Sequence, residues 1–126
     1  MNTHELRLGN YVNVKGVGIV KVNGITRHKI GYCPKPNYEK YARNREVEPV
    51  ELTSDIFSKL QFDMDICKRL NLHLKRKSVG VPYCIDFEIG TEVRLTARHL
   101  HELQNLYFDI CKEELKIEKL SQCCES

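Results

Sequence analysis

The sequence lacks most of the signatures that mark small enzymes and membrane proteins. No window approaches the roughly 18 uninterrupted apolar residues of a membrane span, and the opening Met1-Asn-Thr-His-Glu-Leu-Arg-Leu has no apolar stretch of the kind a signal peptide needs. Together these absences predict a cytoplasmic chain with no membrane partner. There is no Walker-type loop, no G-x-G-x-x-G and no G-x-S-x-G, so neither a phosphate cradle nor a nucleophile elbow is encoded. Internal repeats and low-complexity tracts are also absent. No C-x-x-C occurs. The six cysteines, Cys33, Cys67, Cys84, Cys111, Cys123 and Cys124, are scattered through segments that otherwise read as core or strand, as reduced thiols would be. Cys123 and Cys124 could seize a metal or form an intermolecular disulfide, but their position near the end of the chain favours inert tail residues. No metal and no cofactor is expected.

What is there fits an ordinary globular protein. With 126 residues, 41% hydrophobic and 29% charged, the chain is expected to form a single domain with one core. Within it, residues 1–50 read as a β-rich basic subregion, 51–119 as an α+β subregion and 120–126 as a frayed tail. A net charge of +3 conceals an asymmetry: residues 1–45 hold nine Lys and Arg against two Glu, while the remainder is acidic. Such a gradient can orient an encounter with a polyanion or an acidic partner, although it does not bear on fold.

The strongest periodic signal is Arg98–Ile117. At 100° per residue, Leu100, Leu103, Leu106, Tyr107, Ile110 and Cys111 fall within one arc of roughly 140°, the width of a core-facing stripe. A long amphipathic helix is predicted there, turning near Lys112-Glu113 into a short strand at Leu115–Ile117. Phe108 falls off the stripe, on a lateral face with His101 and Gln104, and this trio is the candidate protein-interaction surface.

Taken in order, Tyr11, Val12 and Val14 supply a first strand, Gly16-Val-Gly18 a reversal, and Ile19 to Ile25 a second strand with Asn23-Gly24 as a turn or bulge. This opening predicts an SH3-like β-barrel or a simpler β-meander. Past Lys29–Cys33, Pro34 and Pro36 break the strand pattern, and a loop is expected. It interleaves Tyr32, Lys35, Tyr38, Lys40, Tyr41, Arg43 and Arg45, aromatic with basic, the composition that binds single-stranded nucleic acid by stacking and phosphate neutralisation. The plainer reading of the same residues is a solvated loop whose tyrosines cap the barrel. Lys15, Lys21, Arg27 and Lys29 would be auxiliary phosphate contacts.

After extended chain over 46–52, Thr53 or Ser54 caps a short helix reaching Leu60. Residues 66–74 fit either a strand or a helix and are assigned to a strand. With Val81–Phe87 and Glu92–Thr96 they give an antiparallel three-stranded meander, and the class is α+β.

Three blocks, Leu6-Arg-Leu-Gly-Asn-Tyr-Val, Glu48-Pro-Val-Glu-Leu-Thr, and His101-Glu-Leu-Gln-Asn-Leu-Tyr-Phe followed by Glu113-Glu-Leu-Lys-Ile, resemble an uncharacterised family of small proteins encoded in Bacteroides-group genomes and their phages. The resemblance implies context only, an accessory protein of a phage or mobile element acting inside a bacterium. Where the family pattern has a Thr-Gly turn, this chain has Cys111-Lys112, so a different turn geometry is expected. The 34–45 segment lies outside the matched blocks.

Catalytic readings are few. His99 and His101 would project about 200° apart from a helix and cannot share a metal; His99 reads as a partly buried core residue. Cys84 or Cys111 with either histidine is the one nucleophile arrangement available. A non-enzymatic protein is therefore expected, with nucleic acid as partner through the 32–45 segment. The alternative is a phage-type inhibitor, adaptor or small-ligand sponge acting on a host protein or signalling molecule through His101, Gln104 and Phe108. A cysteine- or histidine-dependent enzyme comes third, and self-association stays open.

Overall fold

The computed structural model describes residues 3–35, 37–77 and 84–118. It is a mixed α+β structure of antiparallel strands in four small sheets with three helices among the described residues. The chain divides into two compact units, one running to Val50 and the other spanning Glu51–Glu118.

The first unit contains β1 (Tyr11–Val14), β2 (Gly18–Lys21), β3 (Gly24–Ile25), β4 (Lys29–Lys35), β5 (Tyr38–Arg43) and β6 (Val47–Glu48), with a 3-10 turn at Asn44–Glu46. One sheet has the order β2-β1-β6 and the other β3-β4-β5, so the described strands form two small sheets rather than one closed barrel. The chain passes between them at Val22-Asn23. The Val22 N–H donates to the Asn10 carbonyl at 2.8 Å, and the next N–H, of Asn23, donates to the Gly31 carbonyl at 2.9 Å. Leu6, Val12, Val14, Val20, Val22, Ile30, Tyr32, Ala42 and Val47 fill one core, each buried side chain contributing on the order of 1.5–3 kcal/mol. The Leu-Gly-Asn-Tyr block acts locally: Gly9 adopts φ 93°, and the fully buried Asn10 accepts the Arg7 N–H on its side-chain oxygen at 2.7 Å.

The loop expected after Cys33 is instead a β-hairpin. β4 continues through Pro34 to Lys35 and pairs with β5 in the register Lys29↔Arg43, Ile30↔Ala42, Gly31↔Tyr41, Tyr32↔Lys40 and Lys35↔Tyr38. Pro34 is accommodated because the ladder slips between Tyr32 and Lys35, and a bulge is where a strand tolerates a missing donor.

The second unit contains α1 (Ser54–Ser58), β7 (Leu60–Gln61), α2 (Met64–Arg69), β8 (Leu72–Lys77), β9 (Cys84–Ile89), β10 (Val93–Ala97), α3 (Leu100–Cys111) and β11 (Lys116–Ile117). Thr53 caps α1 by accepting the Ile56 N–H at 3.3 Å. The strand assigned to 66–74 is half helix. Asp63 accepts from the N–H groups of Asp65 and Ile66 at 3.1 and 3.2 Å, and this cap starts α2 before β8 begins. The meander has the order β10-β9-β8. Residues 81–83 of its expected central strand, and the tail with Cys123 and Cys124, lie outside the described residues. β11 pairs with β7, a partnership across the unit that no local pattern announces.

Ile85 and Phe87 of β9 face the buried side of the meander, and the intervening Asp86 belongs to the polar side. Although 1% exposed, Asp86 is well served: Arg94 Nε and Nη2 reach Oδ2 at 2.9 and 2.6 Å, and the Thr96 hydroxyl donates to Oδ1 at 2.7 Å. Partners of this kind are what make a buried carboxylate tolerable.

Candidate nucleic-acid interface

The hairpin register divides the seven residues singled out for nucleic-acid binding into distinct places. Tyr32 is 4% exposed and belongs to the core, so it offers no ring for stacking; alternation along β4 points it inward beside Ile30. Tyr41 and Arg43 lie on the opposite, outward side of the sheet, Tyr41 being 54% exposed. Tyr38 and Lys40 share the other parity of β5 and sit near the hairpin tip, both exposed, with the Lys40 ammonium 5.6 Å from the Tyr38 ring centroid. Lys35 pairs with Tyr38 at the tip, and Arg45 is exposed in the 3-10 turn that follows. Of the auxiliary cations, Lys29 joins Tyr41 and Arg43. Lys15 belongs to the other sheet's turn, where it forms a 3.6 Å ion pair with Glu48.

The outward face is built around a glycine. Gly31 is buried directly opposite Tyr41, and a β-carbon placed on it would lie 3.0 Å from Asn23 Oδ1, 3.1 Å from Glu39 Oε1 and 3.3 Å from Tyr41 Cε1. Three side chains thus converge over the missing one. The Asn23 amide nitrogen donates to Cys33 Sγ at 2.8 Å, while its Oδ1 lies over Gly31. Lys29 Nζ stands 4.6 Å over the Tyr41 ring. Charge and hydrogen bonding from Glu39 raise the pKa of the Tyr41 phenol, which therefore stays neutral through the physiological range. Asn23, Gly31 and Glu39 were not among the expected site residues. The signal for them was period-2 alternation, which places residues 39, 41 and 43 on one face once the segment is recognised as a strand.

Lys29 and Arg43 face each other across the ladder. Like charges directly opposite cost a sheet on the order of 0.2–1 kcal/mol, a cost that an anion lying between them removes. Arg27 is exposed nearby in the chain, and its carbonyl accepts the Asn44 amide at 3.2 Å, tying the β3–β4 turn to the end of β5.

The face proposed for protein docking on α3 is not available in the form expected. His101 and Gln104 are each 2% exposed, and Phe108 is half-buried. The residues α3 buries are Leu100, His101, Leu103, Gln104, Tyr107 and Cys111, whereas Leu106 and Ile110 are only partly covered. At 100° per residue this arc is centred roughly 70° from the one hydrophobicity predicts. His101 and Gln104 have enough apolar body to be drawn in, and His101 stacks on His99 with ring centroids 5.9 Å apart.

Two of the thiols lie in apolar surroundings, Cys67 and Cys111 both being buried. Burial pushes the pKa of both Cys67 and Cys111 up, the opposite of what thiolate chemistry requires. Tyr107 anchors this region by accepting the Asp63 N–H on its hydroxyl at 2.9 Å. Among the described residues no group of three or more His, Cys, Asp or Glu could hold a metal ion, and no helix is long and apolar enough to cross a membrane. Compared with protein-family models, curated proteins and solved structures, the chain has no match.

Proposed function

We propose that this chain is a non-enzymatic accessory protein of a phage or mobile element that acts in the bacterial cytoplasm and binds single-stranded nucleic acid through the outward face of β3-β4-β5. The observation that carries the reading is one exposed ring, Tyr41, seated over Gly31 with the facing cations Lys29 and Arg43 on the next outward rung of the ladder. An aromatic platform beside two phosphate-neutralising side chains suits sequence-tolerant binding of a strand. The internal Lys29–Tyr41 contact does not block it. A cation over a ring at an exposed site is worth about 0.5–1 kcal/mol, less than the roughly 1–3 kcal/mol of a stacked base, so a base displaces the ammonium toward a phosphate.

The order of elements supports reading the first unit as a small SH3-like barrel. Two hairpins and a 3-10 turn are followed by a short last strand that returns to pair with the first. In that arrangement β3-β4-β5 presents a curved, solvent-facing sheet, and the Tyr38–Lys40 tip extends it. Burial of His101 and Gln104 disfavours the alternative of a docking surface on α3.

The test is fluorescence anisotropy of the full chain with a labelled oligothymidylate at several salt concentrations. Three phosphate contacts, from Lys29, Arg43 and Arg27, give a slope of log affinity on log salt of about −2. Replacing Tyr41 by Ala should weaken binding roughly 5- to 150-fold, the equivalent of one lost stack. Absence of binding at low salt, or a Tyr41→Ala variant that binds as well as the parent, refutes the proposal.

A further inference from the structure

We infer that β10 is the seam of a homodimer: the outer edge of the meander pairs with the same edge of a second copy of this chain, and two three-stranded sheets join into one of six strands. The seam lies in the second unit and does not involve β3-β4-β5. An apolar face left open at one end points to it. On the central strand β9, Ile85 and Phe87 are 3% and 0% exposed. The register sets Leu95 opposite Phe87 and Val93 opposite Ile89, so both β10 residues stand on the face that carries this core. Yet Val93 is 45% and Leu95 39% exposed, while Ala97, next of the same parity, is fully buried. Among the described residues no strand pairs with the outer side of β10. Unpaired N–H and C=O groups beside exposed apolar side chains form a template for another strand unless a proline or a bulge blunts the edge. β10 contains no proline, and its ladder with β9 runs without a slip.

Charge along this edge identifies the strand it fits. Glu92-Val-Arg-Leu-Thr-Ala-Arg98 carries opposite charges at its two ends, and both side chains are exposed. A two-fold antiparallel pairing centred on Leu95 sets Leu95 on Leu95, Val93 on Ala97, Arg94 on Thr96 and Glu92 on Arg98, each unlike pair occurring twice. Two rungs therefore join opposite charges, which attract across a ladder where like charges repel. Other registers lose this match. Centring on Arg94 puts two arginines face to face, centring on Thr96 sets Arg94 against Arg98, and a parallel in-register pairing sets every charge on its own kind. In the Leu95-centred register the two Arg94 side chains become diagonal neighbours, but each is already paired with the Asp86 of its own chain at 2.6 Å. On the apolar face the two Leu95 side chains meet, and each Val93 lies diagonal to the other copy's Leu95, so the exposed pair is covered by its own symmetry mate. His99, beyond the seam, is bridged to Glu51, which confines the pairing to β10 and its flanks.

The experiment is sedimentation equilibrium of the full chain under reducing conditions at low salt, from micromolar to submillimolar concentration. The parent should distribute between 14.7 kDa and twice that mass. Leu95→Lys, an exposed change that places like charges opposite each other at the two-fold centre, should raise the dissociation constant at least about tenfold and leave thermal unfolding of the monomer unchanged. Glu92→Arg alone, or Arg98→Glu alone, turns both attractive rungs repulsive and should weaken association at least about 4-fold. The double swap, Glu92→Arg with Arg98→Glu, opposes the charges again and should return the affinity to within about 3-fold of the parent, a rescue that only a self-complementary seam gives. A parent that stays monomeric over the whole range overturns the inference. So does self-association that survives Leu95→Lys, which would run through another surface, or a double swap no tighter than the single ones.

Discussion

Gly31 joins the fold to the candidate site, and replacing it by Ala separates the two. The added methyl would meet Asn23 Oδ1 at 3.0 Å, Glu39 Oε1 at 3.1 Å and Tyr41 Cε1 at 3.3 Å, all side-chain atoms at an exposed surface. Each can retreat by a few tenths of an ångström, at a rotamer cost of order 0.5–1.5 kcal/mol. Against this, alanine in place of glycine within a strand gains about 0.5–1 kcal/mol by restricting the unfolded chain. The two nearly cancel, so the variant should unfold within about 1 kcal/mol of the parent, which for a chain of this length is a shift in Tm of roughly 4 °C or less. Binding has no such compensation. The methyl displaces the Tyr41 ring that is seated over Gly31, and affinity for a single strand should fall toward the roughly 5-fold or larger loss of one missing stack. The paired assay is thermal unfolding by circular dichroism and anisotropy on one preparation. A variant destabilised by more than about 3 kcal/mol would show that the outward face is packed rather than adaptable. One with normal stability and unchanged affinity would show that the seat of Tyr41 on Gly31 is not used.

Two further outcomes test the second unit. Because α3 buries Leu103 completely and leaves Leu106 partly covered, Leu103→Ala should cost about 2–5 kcal/mol in urea unfolding and Leu106→Ala about half as much or less; equal losses would mean that the helix faces the direction hydrophobicity alone predicts. Lys112 ends α3 at φ 60° and ψ 25° with its N–H on the Phe108 carbonyl at 2.8 Å, so Lys112→Gly should stabilise by roughly 0.5–1 kcal/mol in the same assay, and a loss of stability would contradict the left-handed turn.

Lys112 also shows how the sequence reading reached its limit. A turn near Lys112-Glu113 is legible from the end of the apolar period. The structure puts a lysine in the conformation glycine favours, which no residue-type rule would choose. The seven basic and aromatic residues were recognised by composition, but composition carries no side-of-strand information. Once Lys29–Arg43 became a hairpin, alternation buried Tyr32, turned Tyr41 outward and sent Tyr38 to the tip. Two prolines had argued for a loop, and the bulge beside Pro34 reconciled that residue with a strand. Asp63 was a readable cap for α2, passed over because Leu70, Leu72 and Leu74 alternate.

By itself the sequence determined what local chemistry controls: strands where β-branched residues alternate, a helix over Leu100–Cys111, a cap at Thr53, a basic first unit and an α+β class. Only the tertiary structure decided which face of α3 is buried, which strands pair across the chain, and which side chains share a surface. Those outcomes depend on contacts between residues far apart in sequence. Burying His101 and Gln104 with Leu103, or bringing Asn23 to Glu39 across Gly31, has no energy until the pieces meet. The candidate site is of this second kind, because its three converging groups come from the β2–β3 crossing and from β5, over a glycine of β4.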